Sequence, residues 1–233
     1  MKNDIPYRIE HSPAYASLIL DVPSNQTILV EASAMAAMDV SLEMKSKIRG
    51  SLLQGVGRML GGESLFINEF TALGQSGEIY ISPGVPGDIA HYYVEKGHNL
   101  MVQSAGFVAC SSGIEIDTQF QGFKGFFSGE SLFLLKATGQ GDFWFSSYGG
   151  ILEIEVSENY IVDTSYIVAF EDSLNYNVEF IGGLSFNNLL TGVFGGEGLV
   201  CRFSGRGRLW IQTRAINPLL NFLHPFRPVS SSN

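Results

Sequence analysis

Apolar side chains recur at every second position in short runs separated by Gly, Ser, Asn and Pro. In residues 38–44, Met38, Val40, Leu42 and Met44 alternate with Asp39, Ser41 and Glu43. In residues 113–118 and 175–180 the same spacing places Ile114 and Ile116, then Tyr176, Val178 and Phe180, on one side. Alternation with period two is the mark of a strand with one buried face. Further strands are predicted over residues 16–22, 27–31, 65–72, 78–82, 88–94, 100–104, 132–137, 143–147, 151–156, 160–170, 199–203 and 208–213. The runs Gly74-Gln75-Ser76-Gly77, Gly139-Gln140-Gly141-Asp142 and Ser204-Gly205-Arg206-Gly207 read as hairpin turns. Glu78, Asp142 and Arg206/Arg208 are then expected as charges at matching turns.

Between the alternating runs lie three apolar excursions. Residues 45–62 hold Leu52, Leu53, Val56, Met59 and Leu60 at roughly helical spacing beside Lys45, Lys47, Arg49 and Arg58, which predicts a short amphipathic helix or an ordered excursion. Gly50, Gly55 and Gly57 weaken that helix. Phe123, Lys124, Phe126 and Phe127 occupy the second excursion, and Leu189, Leu190, Val193 and Phe194 the third. Each ends on one phrase. Gly62-Glu63-Ser64-Leu65-Phe66 returns as Gly129-Glu130-Ser131-Leu132-Phe133 and, more loosely, as Gly196-Glu197-Gly198-Leu199-Val200, at equal intervals of 130 − 63 = 197 − 130 = 67 residues. The expectation is an all-β domain of three internal repeats of about 67 residues, spanning 11–82, 83–147 and 148–214, and a partly disordered tail over 215–233.

Composition changes this picture little and chemistry less. The net charge is −9, with 14 Lys and Arg against 23 Asp and Glu, and no basic stripe repeats with the units, so nucleic acid is not an expected partner. The two cysteines, Cys110 and Cys201, form no framework; together with an N-terminus lacking a signal-peptide apolar run, they predict a cytoplasmic protein. The four histidines are scattered without metal-ligand spacing. No histidine is placed to activate the serine beside Glu63 or Glu130, and Gly198 replaces that serine in the third unit, so no catalytic residue and no cofactor is predicted. Glu63, Glu130 and Glu197 could converge on a hard cation. The competing reading is that each pins its turn by accepting backbone N–H groups.

The runs Arg58-Met59-Leu60-Gly61-Gly62-Glu63-Ser64-Leu65-Phe66-Ile67-Asn68, Pro86-Gly87-Asp88-Ile89, Phe126-Phe127-Ser128-Gly129-Glu130, Ser146-Ser147-Tyr148-Gly149, Ile161-Val162-Asp163-Thr164 and Trp210-Ile211-Gln212-Thr213-Arg214 resemble the "altered inheritance of mitochondria protein 24" family. The resemblance runs from about His11 to Arg214. It implies a fold like that of the tryptophan RNA-binding attenuation protein, a β-sandwich of double-stranded β-helix type, here triplicated in one chain. The yeast relative supports organisation of the mitochondrial inner membrane, and prokaryotic members are uncharacterised. The functional expectation is a non-enzymatic scaffold or interaction protein that self-associates, with a trimer first among the states considered. The excursions, with Leu52, Leu53, Val56, Arg58, Met59, Phe123, Lys124, Phe126, Phe127, Leu189, Leu190 and Phe194, either plug the fold, form that interface or touch an anionic membrane surface peripherally. The alternative is a small-ligand or metal-binding protein using the repeated Gly-Glu positions or a pocket between units.

Overall fold

The computed structural model describes residues 2–49, 65–117, 134–180 and 199–227. A short strand β1 (Tyr7–Glu10) precedes three sets of six. The first set is β2 (Ser17–Val22), β3 (Thr27–Glu31), β4 (Met35–Met38), β5 (Leu42–Arg49), β6 (Leu65–Ala72) and β7 (Gly77–Ile81). The second is β8 (Ile89–Val94), β9 (Leu100–Gln103), β10 (Phe107–Ser111), β11 (Ile114–Asp117), β12 (Leu134–Gly139) and β13 (Gly141–Ser146). The third is β14 (Ile151–Val156), β15 (Asn159–Asp163), β16 (Ile167–Glu171), β17 (Asn175–Phe180), β18 (Leu199–Ser204) and β19 (Gly207–Gln212), and a helix α1 (Ile216–Leu223) follows.

One antiparallel pairing pattern recurs in the three sets. The last strand of each lies between the first and third: β7 between β2 and β4, β13 between β8 and β10, β19 between β14 and β16. The fifth lies between the second and fourth: β6 between β3 and β5, β12 between β9 and β11, β18 between β15 and β17. Each set thus makes two three-stranded half-sheets. The sets are joined by strand pairing, β3 to β10 and β9 to β16, which merges half-sheets into two six-stranded sheets, β5-β6-β3-β10-β13-β8 and β11-β12-β9-β16-β19-β14. The fold is predominantly β and the internal repeat is visible in its hydrogen bonding.

The core follows the joins. One cluster packs Leu18, Leu20, Ile28, Val30, Phe70 and Ile79 of the first set against Val108, Ala109 and Trp144 of the second. The next packs Val102, Cys110, Leu135 and Phe145 against Leu29 on one side and Val168, Ala169 and Trp210 on the other. Each fully buried Val, Leu, Ile or Phe among them stabilises the fold by about 1.5–3 kcal/mol. The β12–β13 hairpin closes only because Gly139 has φ +105°; a Cβ there would come 2.3 Å from the Gly113 carbonyl oxygen.

Three expectations need correcting. Residues 38–44 are not one strand: β4 ends at Met38, and a turn in which Leu42 N–H donates to the Asp39 carbonyl (3.1 Å) separates it from β5. Residues 160–170 are likewise broken, by a 3-10 turn at Thr164–Tyr166. Asp163 causes the break, since its carboxylate Oδ1 accepts from Ser165 N–H (2.9 Å) and Ser165 Oγ (2.6 Å). Residues 45–49 extend β5 opposite β6 instead of opening a helix; the remainder of that excursion lies outside the described residues. Within the stretch 215–233, Ile216–Leu223 form α1.

Candidate interaction surfaces

In the first and third sets a carboxylate–serine contact holds the turn from the second strand to the third. Glu31 Oε2 accepts from Ser33 N–H (3.0 Å) and Ser33 Oγ (2.7 Å), as Asp163 does with Ser165, so a tight turn delivers β4 and β16. A one-residue bulge then follows in every set, at Ala36, Val108 and Val168, between Met35/Ala37, Phe107/Ala109 and Ile167/Ala169. After it an alanine stands opposite a large aromatic residue: Ala37 with Tyr80, Ala109 with Trp144, Ala169 with Trp210.

These equivalences expose a difference. Ala109 pairs across a join with Val30, and Ala169 with Val102. The neighbouring pairs Cys110–Leu29 and Phe170–Met101 are buried. The first set's β4 has no such partner, and β15, counterpart of β3 and β9, has none either: each is the terminal strand of its sheet among the described residues. Met38 is accordingly 38% exposed and Ile161 48%, and Tyr80 and Tyr160 are exposed to a similar degree. Val40, just beyond β4, is fully exposed. The edges β5, β11, β17, β8 and β14 are outermost in their sheets as well, but there the counterparts in the other sets are outermost too, apart from β2, which β1 covers.

A cleft of about 350 Å³ lies where the second and third sets meet. Glu171 organises it, accepting from Tyr92 Oη (3.2 Å), Arg208 N–H (2.8 Å) and Arg208 Nε (2.9 Å). The guanidinium lies 5.0 Å from the Tyr92 ring centre and 5.2 Å from that of Trp210. Burial, with the Glu171 carboxylate second, pushes the Tyr92 phenol up to about 12. Lys2 also lines the cleft, with Nζ 3.7 Å from Glu95 and over the Tyr93 ring. The charges here are already paired, Glu171 with Arg208 inside the third set and Lys2 with Glu95, and it is the Tyr92–Glu171 hydrogen bond that crosses the join.

Asp142 departs from its sequence reading as a turn charge. It is fully buried; Oδ2 accepts the backbone N–H groups of Asp4 and Ile5, each at 2.9 Å, and Oδ1 lies 2.8 Å from His91 Nε2. The His91 ring is held between Tyr7 and Trp144, at centroid distances of 4.7 and 5.4 Å. The pair clamps the N-terminal segment onto the second set. His91 stands opposite Trp144 in the β8–β13 pairing, a register that appears only once the two strands are paired. Cys110 and Cys201 are buried and unbridged, as expected, and burial pushes the Cys201 thiol up to about 12.

The residues singled out from sequence, Glu63, Glu130 and Glu197 and the excursion residues Leu52, Leu53, Val56, Arg58, Met59, Phe123, Lys124, Phe126, Phe127, Leu189, Leu190 and Phe194, lie outside the described residues. Among the described residues no group of three or more His, Cys, Asp or Glu is disposed to hold a metal ion, and no helix is long and apolar enough to cross a membrane. Sequence reasoning missed α1 as a surface: none of its residues is buried, and Leu220, Phe222 and Leu223, with Phe226 beyond, face solvent.

Known proteins resemble this chain over nearly its whole length. The family described as "Mitochondrial biogenesis AIM24" matches residues 7–214. An uncharacterised protein of Streptococcus pyogenes serotype M6 is 24% identical over 241 residues, covering 99% of this chain and 94% of that protein. An X-ray crystal structure of a Streptococcus pyogenes protein superposes with a TM-score of 0.77 at 21% identity, covering 96% of this chain and all of that one. The latter likeness shows a shared fold.

Proposed function

The chain belongs to the AIM24 family, and from that premise we propose that it is a non-enzymatic scaffold or interaction protein that works by self-association. The observation that carries this reading is the pair of edges, β4 and β15, that have no partner strand among the described residues, at positions whose counterparts are sealed twice inside the same chain. Open edges without Lys or Pro readily add another strand. The recurrent pairing supports a single domain of three repeats of about 67 residues (11–82, 83–147 and 148–214) of double-stranded β-helix type; the two buried, unbridged cysteines favour a reducing compartment, and we place its action in the cytoplasm. Multi-angle light scattering after size-exclusion chromatography tests self-association. A mass of two or more chains is expected, a trimer first, and a monomer at tens of micromolar overturns the reading.

Peripheral membrane contact is a second component, favoured by the exposed apolar side chains of α1. Such a helix lies in the interface plane when its apolar face finds lipid. Sedimentation with anionic vesicles is expected to carry the protein down and Phe222→Asp to release it; a parent protein that stays in the supernatant removes this component.

A further inference from the structure

The two terminal half-sheets are the two halves of one object. Each internal six-stranded sheet has the order first-sixth-third strand of one set, then second-fifth-fourth strand of the preceding set: β8-β13-β10 with β3-β6-β5, and β14-β19-β16 with β9-β12-β11. What remains at the ends is β2-β7-β4, lengthened by β1, and β15-β18-β17. Set side by side, β4 against β15, they give the same six-strand order a third time. We infer that β4 of one copy adds to β15 of a second copy, antiparallel and in the register of the internal joins, so that chains assemble head to tail. This inference rests on the self-association proposed above and specifies its geometry.

The register follows from the alignment of positions. Val30, Val102 and Val162 each immediately precede the Glu31, Gln103 or Asp163 from which the turn to the third strand departs. Internally, Ala109 faces Val30 and Ala169 faces Val102, so Ala37 faces Val162. The Ala–Val combination is thus kept at all three joins. The next pair inside is Cys110–Leu29 or Phe170–Met101, apolar on both sides, and its terminal version is Met38–Ile161, again apolar on both sides. The third pair, Ser111–Ile28 or Glu171–Leu100, becomes Asp39–Tyr160. Tyr80, counterpart of the buried Trp144 and Trp210, gains cover in the same step. The contact is heterologous, because β4 and β15 are different surfaces; such contacts close into a ring where the rotation per chain allows and otherwise extend.

Cysteine pairing reads this register directly. Residues directly opposite in an antiparallel pair have Cα atoms about 4.5–5.5 Å apart, inside the about 4.4–6.8 Å window of a disulfide. Met38 and Ile161 are both exposed, so Met38→Cys and Ile161→Cys leave the core alone, and the native thiols are buried. Under mild oxidant the two full-length single variants, mixed, are expected to form a covalent dimer that neither forms alone, and the double variant a ladder on a non-reducing gel. Met38→Cys mixed with Asn159→Cys, out of register, is expected to stay uncrosslinked. As a second measurement, Met38→Lys and Ile161→Lys should each return the light-scattering mass to that of a monomer. If the parent is an oligomer yet the mixture gives no covalent dimer, or one variant dimerises by itself, the head-to-tail register is wrong while self-association stands. An oligomer that survives both lysine variants overturns it in the same way. A double variant that crosslinks only within one chain shows the ring closed by a single copy and also overturns it. A parent that is monomeric removes both this inference and the reading beneath it.

Discussion

Ala37 and Ala109 hold the same place in two copies of one pattern, each one residue past a bulge and each opposite an aromatic side chain. Ala109 is sealed beneath Val30 of the neighbouring set, while Ala37 faces water. The residue type is identical, so what differs is the neighbour. Exposure at the ends of this molecule belongs to position in the array and not to local composition. A repeat whose every copy carries two complementary edges leaves one of each unsatisfied wherever it stops. Proteins that stop such arrays for good cap the ends with charge, Pro or a covering element. Here β1 covers β2, but Met35–Met38 and Asn159–Asp163 carry no Lys, Arg or Pro.

The comparison breaks most easily with a charge. Ala109→Asp puts an unpaired carboxylate into a fully buried join, and a loss of about 5 kcal/mol or more in urea denaturation is expected. Ala37→Asp, followed at a dilution where the parent is monomeric, should stay within about 0.5 kcal/mol of it, as exposed substitutions do. Equal losses at the two sites would mean that the joins and the ends do not differ in the way argued.

Deleting volume sharpens the same contrast. Phe170→Ala empties a buried position against Phe203 and Tyr176 (ring centroids 5.1 and 5.2 Å) and should cost about 3–5 kcal/mol. Met38→Ala, its counterpart at the open end, should cost less than about 1 kcal/mol in the monomer. Asp142→Ala falls between them. It strips the acceptor from the Asp4 and Ile5 N–H groups and from His91, and a loss of about 1–3 kcal/mol is expected, with faster amide exchange over residues 4–10. Unchanged exchange there would show that the N-terminal segment is held by its apolar contacts alone.

Much of this fold was legible in the chain because alternation and turn glycines are local signals. Residues 113–118, 151–156 and 175–180 announce strands by spacing, and β11, β14 and β17 are found there. The third strand of each set was less legible. Met35–Met38 is apolar throughout, as is Phe107–Cys110, so neither shows the alternation that marks a half-buried strand; the second is buried along its length, and such a strand need not alternate. Reading on through Asp39 and through Thr164 merged strands that a turn, or a carboxylate holding the serine two residues on, divides. The Asp142 clamp was illegible for a different reason: its partners are backbone N–H groups 138 and 137 residues away, which have no signature in sequence. The open edges, too, are visible only as a break in a pairing pattern.

The mildest probe is a proton on a closed join. Tyr92 reaches from β8 of the second set to Glu171 of the third, and burial holds its phenol neutral up to about 12, against 10 for the free group. The folded value is raised, so the neutral phenol's contribution is complete below pH 10 and is lost as pH climbs through about 12. A spectrophotometric titration of the folded protein is expected to lack one late-ionising tyrosine in the Tyr92→Phe variant, whose stability should fall less steeply than the parent's between pH 10 and 12. If the two slopes match, ionisation of Tyr92 does not load the join, and the contact between the second and third sets rests on its strand pairing and on the rings of Phe145 and Trp210, 5.5 Å apart.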